Sequence, residues 1–120
     1  QPLATGEHWY GTHMFAHAAK HRLVDVFQPD ICWAGGFTAC QRIAEIADAA
    51  DIAIIPHAGM NTTFGQHFTL ATNNAPMGEL FVGTPPGVPL EKVTSARAVP
   101  IRGELMPSDG PGFGPWPLDD

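Results

Sequence analysis

Four short apolar runs at a nearly even interval constrain this chain more than any other feature. They are residues 2–6, 24–28, 52–56 and 79–82. Each is almost continuously apolar rather than alternating, which is the pattern of strands buried on both faces of a parallel sheet. The intervening segments carry one-sided helical stripes. Residues 9–21 place Met14, Phe15, Ala18 and Ala19 on one side. Residues 38–50 do the same with Ala39, Ile43, Ile46, Ala47 and Ala50, with Gly35-Gly36 as the entry and Thr38 as the cap. Residues 62–72 form a weaker stripe of Phe64, Phe68 and Ala71. The order β-α-β-α-β-α-β predicts an α/β fold with a parallel sheet. Beyond Gly83 the texture changes. Eight prolines from Pro85 to Pro117, with Gly110, Gly112 and Gly114, exclude a long helix. They predict a tail with short extended pieces at 93–98 and 100–105.

An ionisable residue stands at one end of each apolar run: Glu7, Asp30 and His57 just past the first three, and Glu79 opening the fourth. They follow one another at intervals of 23, 27 and 22 residues. A (β/α)₈ barrel spends roughly 30 residues per unit and gathers its active site at the C-terminal ends of its strands. The four side chains are therefore expected at one shared mouth. One such residue alone is more commonly a cap or loop residue; four in register are the informative pattern. Their types are chemically coherent. Glu7 offers a hard oxygen to Mg²⁺. Asp30 and His57 lie on adjacent strands, and a carboxylate beside imidazole fixes its tautomer and raises its basicity. Glu79 is left to bind a substrate hydroxyl or a developing charge. Such a set suits proton abstraction next to a carboxylate.

Other features point elsewhere more weakly. His13, His17 and His21 fall one turn apart on one helix, a spacing compatible with zinc, but no Glu stands beside them in an H-E-x-x-H arrangement. His67 reads as a polar-face residue of the third helix. Gly35-Gly36 lacks the spacing of a phosphate loop and reads as a tight turn. Cys32 and Cys40 read as small buried apolar residues, and no disulfide framework is visible, so a reduced cytoplasmic setting is expected. Trp33 is expected to line the mouth. The net charge of −6 argues against nucleic acid as a partner. No apolar run is long enough for a membrane helix.

The words around these residues resemble a known family. Ala4-Thr5-Gly6-Glu7-His8, Gln28-Pro29-Asp30, Trp33-Ala34-Gly35-Gly36, Ile55-Pro56-His57 and Pro111-Gly112-Phe113-Gly114 are similar in order and spacing to the enolase superfamily. Within it, they look like the mandelate racemase subgroup and its L-rhamnonate dehydratase type. The resemblance implies the last four βα units of a (β/α)₇β barrel in residues 1–92. It implies a tail, 93–120, that packs back on a capping domain outside this chain. Glu7 then matches the third of three acidic Mg²⁺ ligands, and Asp30 and His57 match the catalytic dyad. Glu79, His8 and Trp33 fall where substrate is contacted. The implied reaction is Mg²⁺-dependent dehydration of a sugar acid to a 2-keto-3-deoxy sugar acid, in a homo-oligomer. A racemase or epimerase is the alternative within the same superfamily. The chain starts at Gln1 inside a strand-like run, so a piece of something longer is expected, inactive by itself because Glu7 alone cannot hold the metal. The loop Ala58-Gly59-Met60-Asn61 departs from the rhamnonate pattern and leaves the sugar open.

Overall fold

A computed structural model describes residues 1–82, 87–89, 92 and 98–114. Strand β1 (Ala4–Thr5), helix α1 (His13–His21), strand β2 (Val26–Phe27), helix α2 (Gly36–Ala49), strand β3 (Ala53–Ile54) and helix α3 (Thr63–Ala71) follow in order. A single 3₁₀ turn, Gly59–Asn61, precedes α3. The three strands form a parallel sheet in the order β1-β2-β3. Ala4 pairs with Val26 and Thr5 with Phe27; Val26 pairs with Ala53 and Phe27 with Ile54. Each parallel step needs a crossover, and α1 and α2 supply the two, packed on one another.

The core lies where these helices meet the sheet. Phe15 of α1, Phe27 of β2, Ile43 of α2, Ile54 of β3 and Phe68 of α3 are all fully or almost fully buried. The Phe15 and Phe27 rings meet edge-on at 5.2 Å, and Trp9 closes on Phe15 at 5.0 Å. Such pairs add to the area each ring removes from water. Within the α1 stripe Phe15 and Ala18 are buried, but Met14 is 49% exposed. Helix α2 starts at Gly36, so Thr38 sits inside its first turn and is not the cap. Gly35 caps it instead with φ 115°, a conformation that glycine adopts without strain. The Gly36 N–H is spent on Ile31 O at 2.9 Å, as a tight turn requires.

The expected fourth strand does not form a ladder. Its place beside β3 is taken earlier in the chain, because Ile54 N–H donates to Asn74 O at 3.0 Å. Residues 79–82 lie further along, against the 3₁₀ turn. Met60 N–H donates to Glu79 O, and the Asn61 amide exchanges two bonds with the Phe81 backbone. The two segments advance together, as parallel neighbours do, but the 3₁₀ turn on one side breaks the regular ladder.

The tail packs on this chain's own helices. Phe113 meets Phe37 of α2 at 5.4 Å, and Phe64 and His67 of α3 at 6.4 and 6.1 Å. His67, expected on a polar face, is half-buried there, and its Nε2 is shut off without a hydrogen-bond partner among the described residues. Gln66 is 2% exposed and donates to both Met60 O and Ala98 O at 2.9 Å, tying tail to turn. Residues 93–97 of the first expected extended piece lie outside the described residues. The second is a tight turn closed by an Ile101–Glu104 bridge, with Arg102 and Gly103 at φ 54° and 84°. Among the described residues, no helix is long and apolar enough to cross a membrane.

Candidate active site at the strand ends

Glu7, Asp30 and His57 each stand two or three residues past the end of β1, β2 and β3. Parallel register puts those three exits on one side of the sheet. Backbone bonds fix the level: Gln28 N–H donates to Thr5 O at 2.9 Å, and His57 N–H to Pro29 O at 3.0 Å.

The Glu7 carboxylate takes Gly6 N–H at 3.1 Å, with Thr5 Oγ1 at 3.5 Å. Its carboxyl is held below the usual range, chiefly by its own backbone N–H. Desolvation opposes this, while Gly6 N–H and the charges of His8 and His57 reinforce it. Glu7 is thus an ionised, hard oxygen donor. Among the described residues no three His, Cys, Asp or Glu side chains group as a metal site. Glu7 fits one Mg²⁺ ligand position, and further ligands would have to come from elsewhere.

His57 is paired with Glu79, not with Asp30. Its Nδ1 lies 3.1 Å from Glu79 Oε1. The same oxygen accepts Ala58 N–H at 3.3 Å, and Oε2 accepts Gln28 Nε2 at 2.8 Å. Both Glu79 oxygens are therefore engaged by the protein. Asp30 instead closes its own turn, its Oδ1 accepting Cys32 N–H at 2.8 Å and Trp33 N–H at 3.2 Å. This is the Asx-turn use of a short carboxylate, and it competes with any long-range partner. Asp30 and His57 still line one small cleft of about 80 Å³, together with Cys32, Thr62 and Phe64. A larger hollow of about 510 Å³ lies between α3 and the tail, lined by Leu70, Met77 and Leu105 among others. It contains none of the strand-end residues.

Trp33 is 48% exposed, with the His8 ring at 5.2 Å. Tyr10, outside the motif residues, lies nearly parallel to Trp33 at 6.1 Å. Gln28, whose sequence signal is its place at the end of the second apolar run, joins the group through its bond to Glu79. His17 and His21 have ring centroids 4.5 Å apart, away from the strand ends on α1.

Cys32 is exposed, contrary to expectation, because the Asp30 turn carries it outward. Cys40 is fully buried. Burial pushes the Cys40 thiol up to about 12, with the Asp30 and Cys32 charges adding. Cys32 is raised too, first by desolvation and then by Asp30. Thiolate is the reactive form. A disulfide reagent at mildly alkaline pH should therefore label one thiol slowly in the native protein and two after unfolding. Two fast equivalents in the native state would contradict the fold around Cys40.

The family model described as enolase C-terminal domain-like matches residues 1–117. The chain belongs to this enolase-like family. The L-rhamnonate dehydratase of Saccharopolyspora erythraea is 29% identical over 116 residues, covering 93% of this chain and 29% of that protein. The L-talarate dehydratase of Polaromonas sp. JS666, crystallised with Mg and L-glucarate, superposes with TM-score 0.77 at 26% identity. That match covers 95% of this chain and 30% of the other. The Mg complex of rhamnonate dehydratase from Gibberella zeae gives TM-score 0.66 at 32% identity, over 77% of this chain and 22% of the other. The chain thus spans 29% of the length of its curated relatives. These enolase-like relatives are sugar-acid dehydratases by name, which agrees with the resemblance read from the motifs.

Proposed function

We propose that this chain supplies the acid/base wall of a Mg²⁺-dependent sugar-acid dehydratase. Its three strands and the following segment are read as the last four βα units of an enolase-type barrel. The observation that carries the proposal is His57, at the end of β3, with Nδ1 against a fully engaged carboxylate, and Glu7 at the same end of the sheet past β1. A carboxylate at Nδ1 favours the proton there and leaves the Nε2 lone pair as base.

A bound divalent cation would supply Lewis-acid polarisation of the substrate carboxylate, with Glu7 as one ligand. His57 Nε2 takes the proton from the carbon next to that carboxylate. The C–H electron pair moves into the enediolate. As the pair returns, the C–O bond one carbon further on breaks, and His57 gives its proton to the leaving hydroxyl, which departs as water. The enol left behind becomes a 2-keto-3-deoxy sugar acid. Asp30 borders the same cleft as His57, and His8 and Trp33 provide the aromatic wall for the sugar chain. A cleft of about 80 Å³ is well below the roughly 300–1,000 Å³ of small-molecule pockets, so the rest of the substrate would be enclosed by the remainder of a longer protein.

The test is dehydration of a panel of aldonic acids by the complete protein. Keto-acid should form with Mg²⁺, stop with a chelator and return on re-addition. No product from any six-carbon or 6-deoxy aldonate would sink the proposal. Exchange of the α-proton with solvent deuterium without loss of water would point to epimerisation instead.

A further inference from the structure

We propose that His17 and His21 form a two-imidazole site for a divalent transition metal of the Ni²⁺, Cu²⁺ and Zn²⁺ class, on the outer face of α1. The site is separate from the strand ends and from the reaction proposed there. Helix α1 buries Phe15 and Ala18, and its three histidines stand on the exposed side. Residues four apart on a helix are neighbours on its surface. The structure brings two of the three rings together: the His17 and His21 centroids are 4.5 Å apart, with planes tilted by 46°.

An imidazole nitrogen binds such an ion at about 2.1 Å, which puts each ring centre about 3.2 Å from it. Two rings at adjacent corners of a square or octahedron are then about 4.5 Å apart, and at tetrahedral corners about 5.2 Å. The observed separation matches the right-angled case without any movement of the helix. The last torsion of a histidine is soft, so the nitrogens can turn onto one ion at little cost. His13 cannot join them, because it lies eight residues from His21, about 12 Å along the axis. Among the described residues no third His, Cys, Asp or Glu completes the group, so water fills the remaining positions. His21 is the last residue of α1, where the carbonyl end of a helix attracts cations. Lys20 and Arg22 flank it and oppose a dication, but both are exposed and their charges are screened. Imidazole suits Ni²⁺, Cu²⁺ and Zn²⁺, whereas Mg²⁺ prefers oxygen. The α1 pair therefore does not compete for the ion proposed at Glu7.

The experiment titrates Ni²⁺ into the complete protein, free of any affinity tag and held in excess Mg²⁺, by calorimetry with melting curves alongside. Ni²⁺ should bind and raise the melting temperature, since the pair is formed only in the folded helix. His17→Asn and His21→Asn should each weaken that binding roughly 100-fold, the low end of what a second linked contact adds. Each should also abolish the rise in melting temperature. Asparagine has nearly the helix propensity of histidine, so both variants should fold. His13→Asn and Cys32→Ser should leave the affinity unchanged. No Ni²⁺ binding by the wild type, or binding that survives both His17→Asn and His21→Asn, would overturn the proposal. Mg²⁺-dependent dehydration of sugar acids should be the same in wild type and both variants, so the metal site and the proposed reaction stand or fall separately.

Discussion

On the proposed reaction, His57→Asn in the complete protein should lower kcat by roughly 100- to 10,000-fold, the usual range for loss of a general acid/base. Asparagine has no basic nitrogen, so both proton transfers lose their agent. Solvent deuterium should also cease to enter the α-position. Substrate binding should survive, because the role assigned to His57 is proton transfer rather than uniform binding. The His57 side chain is 36% exposed, so its replacement opens no core cavity, and the melting temperature should barely move. Steady-state turnover within a few-fold of wild type would remove His57 from the mechanism. A loss of turnover accompanied by unfolding would be uninformative for chemistry, which is why the melting curve belongs to the same measurement.

Gly65→Ala should be strongly destabilising. A Cβ at Gly65 would run into the carbonyl of Gly59, with the carbonyl carbon at 2.8 Å and the Cα at 2.9 Å. Those are backbone atoms, so no side chain can swing aside. Helix α3 and the 3₁₀ turn would have to part. The Gly65 N–H is also the one that Thr62 Oγ1 caps, at 3.2 Å. Alanine gains about 1 kcal/mol of helix propensity over glycine. Overpacking typically costs about 1–3 kcal/mol, and the cap about 1 kcal/mol more. The loss therefore wins, and a fall in Tm of roughly 10 °C is expected for a domain of this size. Gly59→Ala should cost less, because its methyl would meet a proline side-chain atom, Pro56 Cβ, at 3.0 Å. An equal or reversed order of the two variants would mean that the turn does not seat on α3 as described.

Much of this architecture was legible in the residues themselves. Continuous apolar runs announce burial on both faces, and three of the four became neighbouring parallel strands. What the runs could not report was the ladder. Strand pairing depends on where a partner's carbonyl falls, and Asn74 reached Ile54 before residues 79–82 could. Regular spacing put Glu7, Asp30 and His57 at one end of the sheet. Partner choice among them was not legible, because it turns on a local competition. Asp30 found two turn amides within three residues, whereas Glu79 had no such nearby sink and took His57. Gln28 is a neutral amide with no chemistry of its own, and only its 2.8 Å bond to Glu79 distinguishes it. The closeness of Gly65 to Gly59 likewise exists only once the turn is folded.

Asn74 has a consequence for how a barrel wall can close. Besides holding Ile54 N–H with its carbonyl, its side-chain amide donates to Ala44 O and Ile52 O. That side of β3 is therefore engaged at Ile54 by the chain itself. The rim of β1 has no neighbouring strand among the described residues. In the barrel proposed above, a strand of the same polypeptide would fill that rim, so the edge would be met within one molecule and not by a second copy.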